Sequence, residues 1–151
     1  MNQNGQLSIE FMLILIVSIV YINTVIFPMV DFGQTTLNEI YGLGQTRMAT
    51  QKIVNTINSV VLQSSTSKQI ISMTLPKNSR IECVTAPQNG IKFTYTLSDI
   101  AQSCSVSTTC TRTIPVELPP GVSLNCAGLD FTGPRQNTVT IRFQADTVQF
   151  S

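Results

Sequence analysis

An uncharged apolar run near the N-terminus constrains this chain more than any other feature of its sequence. From Phe11 to Val30 no side chain carries a charge. As an α-helix this run would be roughly 30 Å long, which matches the hydrocarbon thickness of a bilayer. Glu10 stands directly before the run, and an acid beside such a helix usually has a partner or a function because its burial is costly. The sequence therefore predicts a membrane-length helix with a significant acid at its start.

Two general explanations compete for this run. A cleaved secretory signal needs a basic leader, a shorter apolar stretch and a small-residue cleavage site. Residues 1–5 contain no Lys or Arg, and no Ala-x-Ala pattern follows Val30. A plain signal anchor would use Glu10 only as an acid near a helix N-terminus, where the helix dipole favours negative charge. The plain anchor remains an open alternative on these grounds.

A third explanation comes from a short motif at the same place. Gly5 is followed by Gln6, Ser8, Glu10 and Phe11 in the pattern Gly-Gln-x-Ser-x-Glu-Phe, and then by the apolar run. This pattern resembles the class III signal peptide of archaeal type IV pilins. The resemblance implies that a prepilin peptidase cuts between Gly5 and Gln6. Archaellins, the related motility subunits, usually begin with a Gly- and Ala-rich segment and match this motif less well.

The resemblance also implies how such a subunit assembles. The membrane would hold the helix first; afterwards Glu10 would pair with the new α-amine of a neighbour's Gln6, and Phe11 would lie in the filament core. A buried ion pair can fix the register of an assembly, because an unpaired buried carboxylate is penalised. Pilin leaders usually carry Lys or Arg, and this one has none. Either the apolar run and the peptidase set the orientation, or the true start lies upstream.

Apolar residues continue at helical spacing beyond the membrane-length run. They are Leu37, Ile40, Tyr41, Met48, Ile53, Ile57, Val60 and Val61. The pattern predicts an amphipathic helix that packs on the rest of the chain. A kink is expected at Pro28, although a new helix could instead begin after Asp31. Gly42 and Gly44 are expected to weaken the helix by about 1 kcal/mol each relative to alanine.

The composition changes at Lys68, and the remainder of the chain is predicted to form β-strands. The strand-like segments are 70–75, 80–85, 91–97, 138–144 and 147–150. Asn89-Gly90 predicts a tight hairpin turn, because these residues tolerate the positive φ that such turns require. Residues 145–146 predict a second turn, and residues 115–122, which are rich in proline, are interpreted as a stiff exposed connection.

These expectations combine into an α+β fold. A long N-terminal hydrophobic and amphipathic helix, as in the lollipop form of type IV pilins, would be followed by a small antiparallel β-rich head. The expected divisions are a cleaved leader over 1–5, a transmembrane or filament-core helix over 6–30, an amphipathic helical continuation over 31–64 and an extracellular head over 68–151.

The cysteines Cys83, Cys104, Cys110 and Cys126 all lie in this predicted head. An even number in a small exported domain indicates disulfides. Of the possible pairings we favour Cys83 with Cys126 and Cys104 with Cys110; the longer loop could add about 3–4 kcal/mol to stability. A zinc site would need unusual spacing because the chain has no CxxC and no histidine. Free buried thiols are the remaining alternative.

The sequence offers little that would support catalysis. Without histidine there is no Ser-His-Asp triad and no Cys-His pair, and no Gly-rich phosphate loop precedes a helix. The acids of the head are scattered and are predicted to be solvated surface groups; they are Glu82, Asp99, Glu117, Asp130 and Asp146. We therefore expect no enzyme, cofactor, metal or small-molecule substrate. Seven basic side chains against five acids over 68–151 are too slight an excess to indicate nucleic acid.

The predicted function is structural. The chain is interpreted as a subunit of an archaeal type IV pilus-like surface filament, and the lack of an Asn-x-Ser/Thr sequon would make it a bare, minor or hidden one. Its expected partners are the prepilin peptidase, other pilin subunits and, before assembly, the cell membrane. Adhesion and DNA uptake are both open as the filament's role. The alternative is a membrane-anchored extracellular β domain that does not polymerise, and an exported enzyme is a more distant one.

Overall fold

The structure is a computed structural model that describes residues 3–63, 66–85, 88–98, 104 and 108–151, with helical side chains described from Ile9 onward. The chain divides into two compact units, Met1–Asn38 and Glu39–Ser151. The first unit is helical. The second contains the rest of the helix and all the described strands, so the boundary lies inside the helix rather than at the change of composition.

Helical backbone extends over Gln3–Tyr21 as α1, over Ile22–Ile26 as a π-helical turn and over Phe27–Gln63 as α2. The prediction that the helix continues to about residue 63 is confirmed. The uncharged run favours helix because only helical backbone satisfies its own N–H and C=O groups in an apolar environment. No break follows Asp31, so the alternative of a second helix beginning there is wrong.

Pro28 is the second residue of α2, and the backbone before it is irregular. Proline has no N–H, so the carbonyl one turn earlier loses its usual donor. In the preceding turn the Phe27 N–H donates to the Ile22 carbonyl, which is the hydrogen-bond pattern of a π-helix. The helix therefore passes through Pro28, and the irregularity expected there takes the form of a π turn.

The second unit arranges its described strands in two four-stranded sheets. The strands are β1 Lys68–Leu75, β2 Ser79–Val84, β3 Gly90–Thr96, β4 Thr109–Pro115, β5 Ser123–Asn125, β6 Asp130–Thr132, β7 Arg135–Gln144 and β8 Thr147–Phe150. Their order is β1-β7-β8-β5 in the first sheet and β4-β3-β2-β6 in the second. Only the β5–β8 pair is parallel among these pairings. The predicted α+β fold with an antiparallel-rich head is thus confirmed.

The β7–β8 hairpin follows the sequence prediction. Val139, Ile141 and Phe143 are buried and alternate with exposed residues along β7, as expected for a strand with one face on a core. Gln144 pairs with Thr147, and the two residues between them have φ of 49° and 56°. That left-handed pair gives the tight turn whose twist matches the flanking strands.

The β2–β3 hairpin also forms, but the turn is not where the sequence places it. Gly90 pairs with Val84 and is the first residue of β3, and neither Asn89 nor Gly90 has a positive φ. The expectation of an Asn-Gly turn is therefore wrong. A side chain at Gly90 would instead collide with Thr113 of the adjacent strand β4, so the close approach of that strand explains this glycine.

Strands β4, β5 and β6 are absent from the sequence prediction. β4 is a sheet edge in which Thr109, Thr111 and Thr113 alternate with other residues, so its apolar signal is weak. β5 and β6 have three residues each, too few for periodicity to be detected. Residues 116–122 form the predicted connection, although Val116 is buried in the core rather than exposed.

Both sheets and the C-terminal part of α2 contribute to one hydrophobic core. Ile53, Ile57 and Val60 are fully buried in it, together with side chains such as Ile81 and Ile141 from the two sheets. The predicted single apolar stripe is wrong for its first part, however. The side chains of Leu37, Ile40, Tyr41 and Met48 are exposed.

Two disulfides link parts of the second unit. Cys83 in β2 bonds to Cys126, which directly follows β5, and Cys104 bonds to Cys110 in β4. The structure therefore contains the two favoured pairs, which leaves no described cysteine free. Because β2 and β5 belong to different sheets, the Cys83–Cys126 bond crosslinks the two sheets.

Candidate assembly surface

The strongest candidate for a functional surface is the helix of the first unit, because its apolar side chains lie in the open. Phe11 is 67% exposed and Met29 70% exposed, and the most apolar window of the helix has a mean hydropathy of 2.4 and no buried residue. By length and composition this helix is long and apolar enough to cross a membrane. Such a surface needs an apolar environment that the first unit does not supply.

The polar side chains within this surface donate hydrogen bonds to backbone carbonyls of the same helix. Ser18 donates to the Ile14 carbonyl at 2.7 Å, and Thr24 donates to the Val20 carbonyl at 2.8 Å. The Asn23 amide donates to the backbone one turn earlier at 2.8 Å. A polar group without a partner is costly in an apolar environment, so these local bonds adapt the helix to lipid or to a dry protein interface.

The sequence-predicted site residues lie at the start of this helix. The backbone of Gly5 and Gln6 is helical, but their side chains lie outside the described part of the structure. Glu10 and Phe11 are both exposed. Glu10 has no ion-pair partner among the described residues, so its carboxylate is available to a group from outside the chain.

The second unit uses its charges differently, since several form pairs within the unit. Arg80 donates two hydrogen bonds to the Asp130 carboxylate, at 2.9 and 2.7 Å. These bonds hold the pKa of Asp130 below its usual range and, with the charges of Asp130 and Glu82, raise that of Arg80. Glu82 is also paired with Lys92 on the adjacent strand. Glu82 and Asp130 thus form ion pairs across the surface of the second sheet.

A buried acid in the second unit was not anticipated from the sequence. Glu39 is 5% exposed, and one carboxylate oxygen accepts the Ser98 N–H at 2.6 Å, while the other has no hydrogen-bond partner among the described residues. Burial and then the charge of Glu39 raise the pKa of Tyr95. The acid lies several residues before the first buried apolar side chain of α2, Ala49, so no sequence signal marked it as buried.

The structure explains why residue 42 is a glycine, which the sequence does not reveal. A Cβ at this position would collide with the ring and hydroxyl group of Tyr95. Gly44, two residues later, faces open space. Gly42 thus allows Tyr95 to pack against α2 within the second unit, while Gly44 has no such role there.

The chain was compared with family models, with curated proteins and with solved structures, and no match was found.

Proposed function

We propose that this chain is a structural subunit, and a minor one, of an archaeal type IV pilus-like surface filament. The observation that carries the proposal is the exposed apolar helix of the first unit, which has a single acid, Glu10, at its start. The proposal includes processing by a prepilin peptidase between Gly5 and Gln6, on the strength of the motif there.

The proposed mechanism has a membrane stage and a filament stage. In the membrane, residues 11–30 match the hydrocarbon thickness and place the second unit outside the cell. In the filament, the same side chains pack against copies or relatives of this chain. No chemical change of the helix is needed, because lipid and a protein interior are similarly apolar.

Glu10 would provide the selectivity that apolar packing lacks. Hydrophobic contacts tolerate many staggers between helices, whereas a carboxylate buried without a partner penalises each wrong one. Cleavage before Gln6 would create an α-amine close to the apolar segment of a neighbouring chain. Pairing of Glu10 with that amine would therefore fix one stagger.

A competing function is a membrane-anchored β domain that does not polymerise. It is favoured by the self-sufficiency of the second unit, which has its own core and two disulfides. In that case Glu10 would be only an acid at the membrane boundary, and its removal would have little effect.

The variant Glu10→Gln separates these functions, because it removes the charge and keeps the shape. We expect the variant to accumulate in the membrane fraction and to be lost from filaments sheared from the cell surface. Glu117→Gln is the matched control, since Glu117 is an exposed acid of the second unit. Equal recovery of both variants in the sheared fraction would contradict the proposal, as would the absence of wild-type chain from that fraction.

A further inference from the structure

A second exposed apolar surface lies on α2 within the second unit. Ile40, Tyr41 and Met48 are 61%, 67% and 65% exposed, and Gly44 between them faces open space. We call these four residues the outward stripe. At about 100° per residue they lie roughly 120–180° around the helix from the fully buried Ile53. The same helix is thus apolar on its core side and on its solvent side.

The bilayer does not explain this stripe. The uncharged run that matches the hydrocarbon thickness ends at Val30, and two acids, Asp31 and Glu39, precede the outward stripe in the sequence. The stripe therefore lies outside the apolar run. Exposed Tyr and Met side chains are typical of protein interfaces.

The charged residues next to this stripe indicate which partner could bind there. Arg47 is the only charged residue of segment 40–48, and Asp31 is the only charged residue of segment 24–32. Both are exposed, and neither has an ion-pair partner in the described part of the chain. Each of these charges is therefore open to the opposite charge of a second copy.

At an offset of sixteen residues, segments 24–32 and 40–48 also place small or apolar residues at the same level. When Asp31 of one copy is level with Arg47 of another, Phe32 is level with Met48 and Pro28 with Gly44. Val25 and Phe32 lie within a turn of Pro28 on the same side of the helix and are 37% and 57% exposed, so they supply apolar side chains for the outward stripe. The positive site is reinforced by Arg112, which lines one pocket together with Arg47, with no acid among its described lining residues.

We propose that the outward stripe is the docking surface for segment 24–32 of a second copy, with Asp31 paired to Arg47 of that copy at a stagger of sixteen residues. The inference rests on the proposed filament and adds a contact outside the Glu10 region. It makes Asp31 and Arg47 the determinants of register on the outer part of the helix.

Charge exchange in cells that express the full chain tests the pairing. Asp31→Arg and Arg47→Asp should each reduce the chain recovered in sheared filaments at least tenfold, and the double exchange should restore at least half of it. The amount in the membrane fraction should stay constant, which separates assembly from insertion. Lys77→Asp, at an exposed turn, should leave recovery unchanged. Undiminished filaments from both single variants, or no recovery in the double variant, would overturn the pairing.

Crosslinking provides an independent readout of the partner. Filaments of a chain carrying both Phe32→Cys and Met48→Cys, which keeps Asp31 and Arg47, should give a ladder of multiples of the chain mass when treated with a short thiol-to-thiol crosslinker. Filaments that give no ladder, or crosslinks to a chain of another mass, would overturn this contact while leaving the proposed function intact. Absence of wild-type filaments would overturn both.

Discussion

The two units of this chain achieve stability in opposite ways. Met1–Asn38 turns its apolar side chains outward, whereas Glu39–Ser151 buries a continuous core and closes two disulfides. The charges divide in the same way, since the first 38 residues contain two acids and no basic side chain, while all nine Lys and Arg follow. The first unit therefore exposes an apolar surface that it does not cover itself, whereas the second covers its own core.

The largest expected difference between the two units is the loss of stability when one isoleucine of each is truncated to alanine. Ile57 is fully buried and Ile16 is 55% exposed. Ile57→Ala should lower the free energy of unfolding of the second unit by about 2–5 kcal/mol, while Ile16→Ala should change it by less than about 0.5 kcal/mol. Denaturant titration of the full chain in mild detergent measures both. Equal losses of stability would contradict the claim that only the second unit depends on buried apolar side chains.

Removal of the disulfides tests how the second unit is stabilised. The Cys83–Cys126 bond spans 43 residues and Cys104–Cys110 spans 6. In the chain-entropy model the long loop contributes about 4 kcal/mol and the short one about 2 kcal/mol. Thermal unfolding of the two double-serine variants should show the larger loss for the bond between the sheets. The reverse order would contradict this explanation.

Gly42 and Gly44 of α2 allow the buried and exposed sides of one helix to be compared. Gly42→Ala should destabilise the second unit by about 1–3 kcal/mol, since the methyl group overpacks against Tyr95. Gly44→Ala, in open space, should stabilise it by up to about 1 kcal/mol through helix propensity. Chemical denaturation of both variants measures these two changes in stability. A gain in stability for Gly42→Ala would mean that Tyr95 does not pack there.

The smallest effect is expected at the surface of the sheet. Because the pKa of Asp130 is lowered in the folded chain, its pair with Arg80 contributes stability above the pKa of the unfolded chain, about 4. That contribution disappears as the pH falls through the lower folded value. Asp130→Asn should therefore lower the melting temperature slightly at neutral pH and not at all at strongly acidic pH. A larger loss at acidic pH would contradict the sign.

The regular parts of the fold could be predicted from the sequence because local pattern and tertiary environment agree there. The alternation in β7 and the uncharged run before Val30 are examples. The outward stripe could not be predicted, since Ile40 and Ile53 show similar helical spacing but lie on opposite sides of α2. Short strands such as β5 and the buried Glu39 depend on partners distant in sequence, which a single sequence does not reveal.

Only part of the candidate site could be predicted from the sequence. Glu10 and Phe11 could be identified because they occupy a motif and border the uncharged run. Asp31 and Arg47 could not, because their significance depends on the exposure of the stripe between Ile40 and Met48 and on the absence of ion-pair partners among the described residues.

The most direct test of the central claim is the N-terminus of the mature chain, determined by terminal peptide mass spectrometry on material sheared from the cell surface. The pilin-like function requires a chain that begins at Gln6 and is recovered with filaments. A chain that begins at Met1 and remains in the membrane fraction would contradict it and leave an anchored β domain. A start beyond Val30 would indicate a secreted protein without its apolar helix.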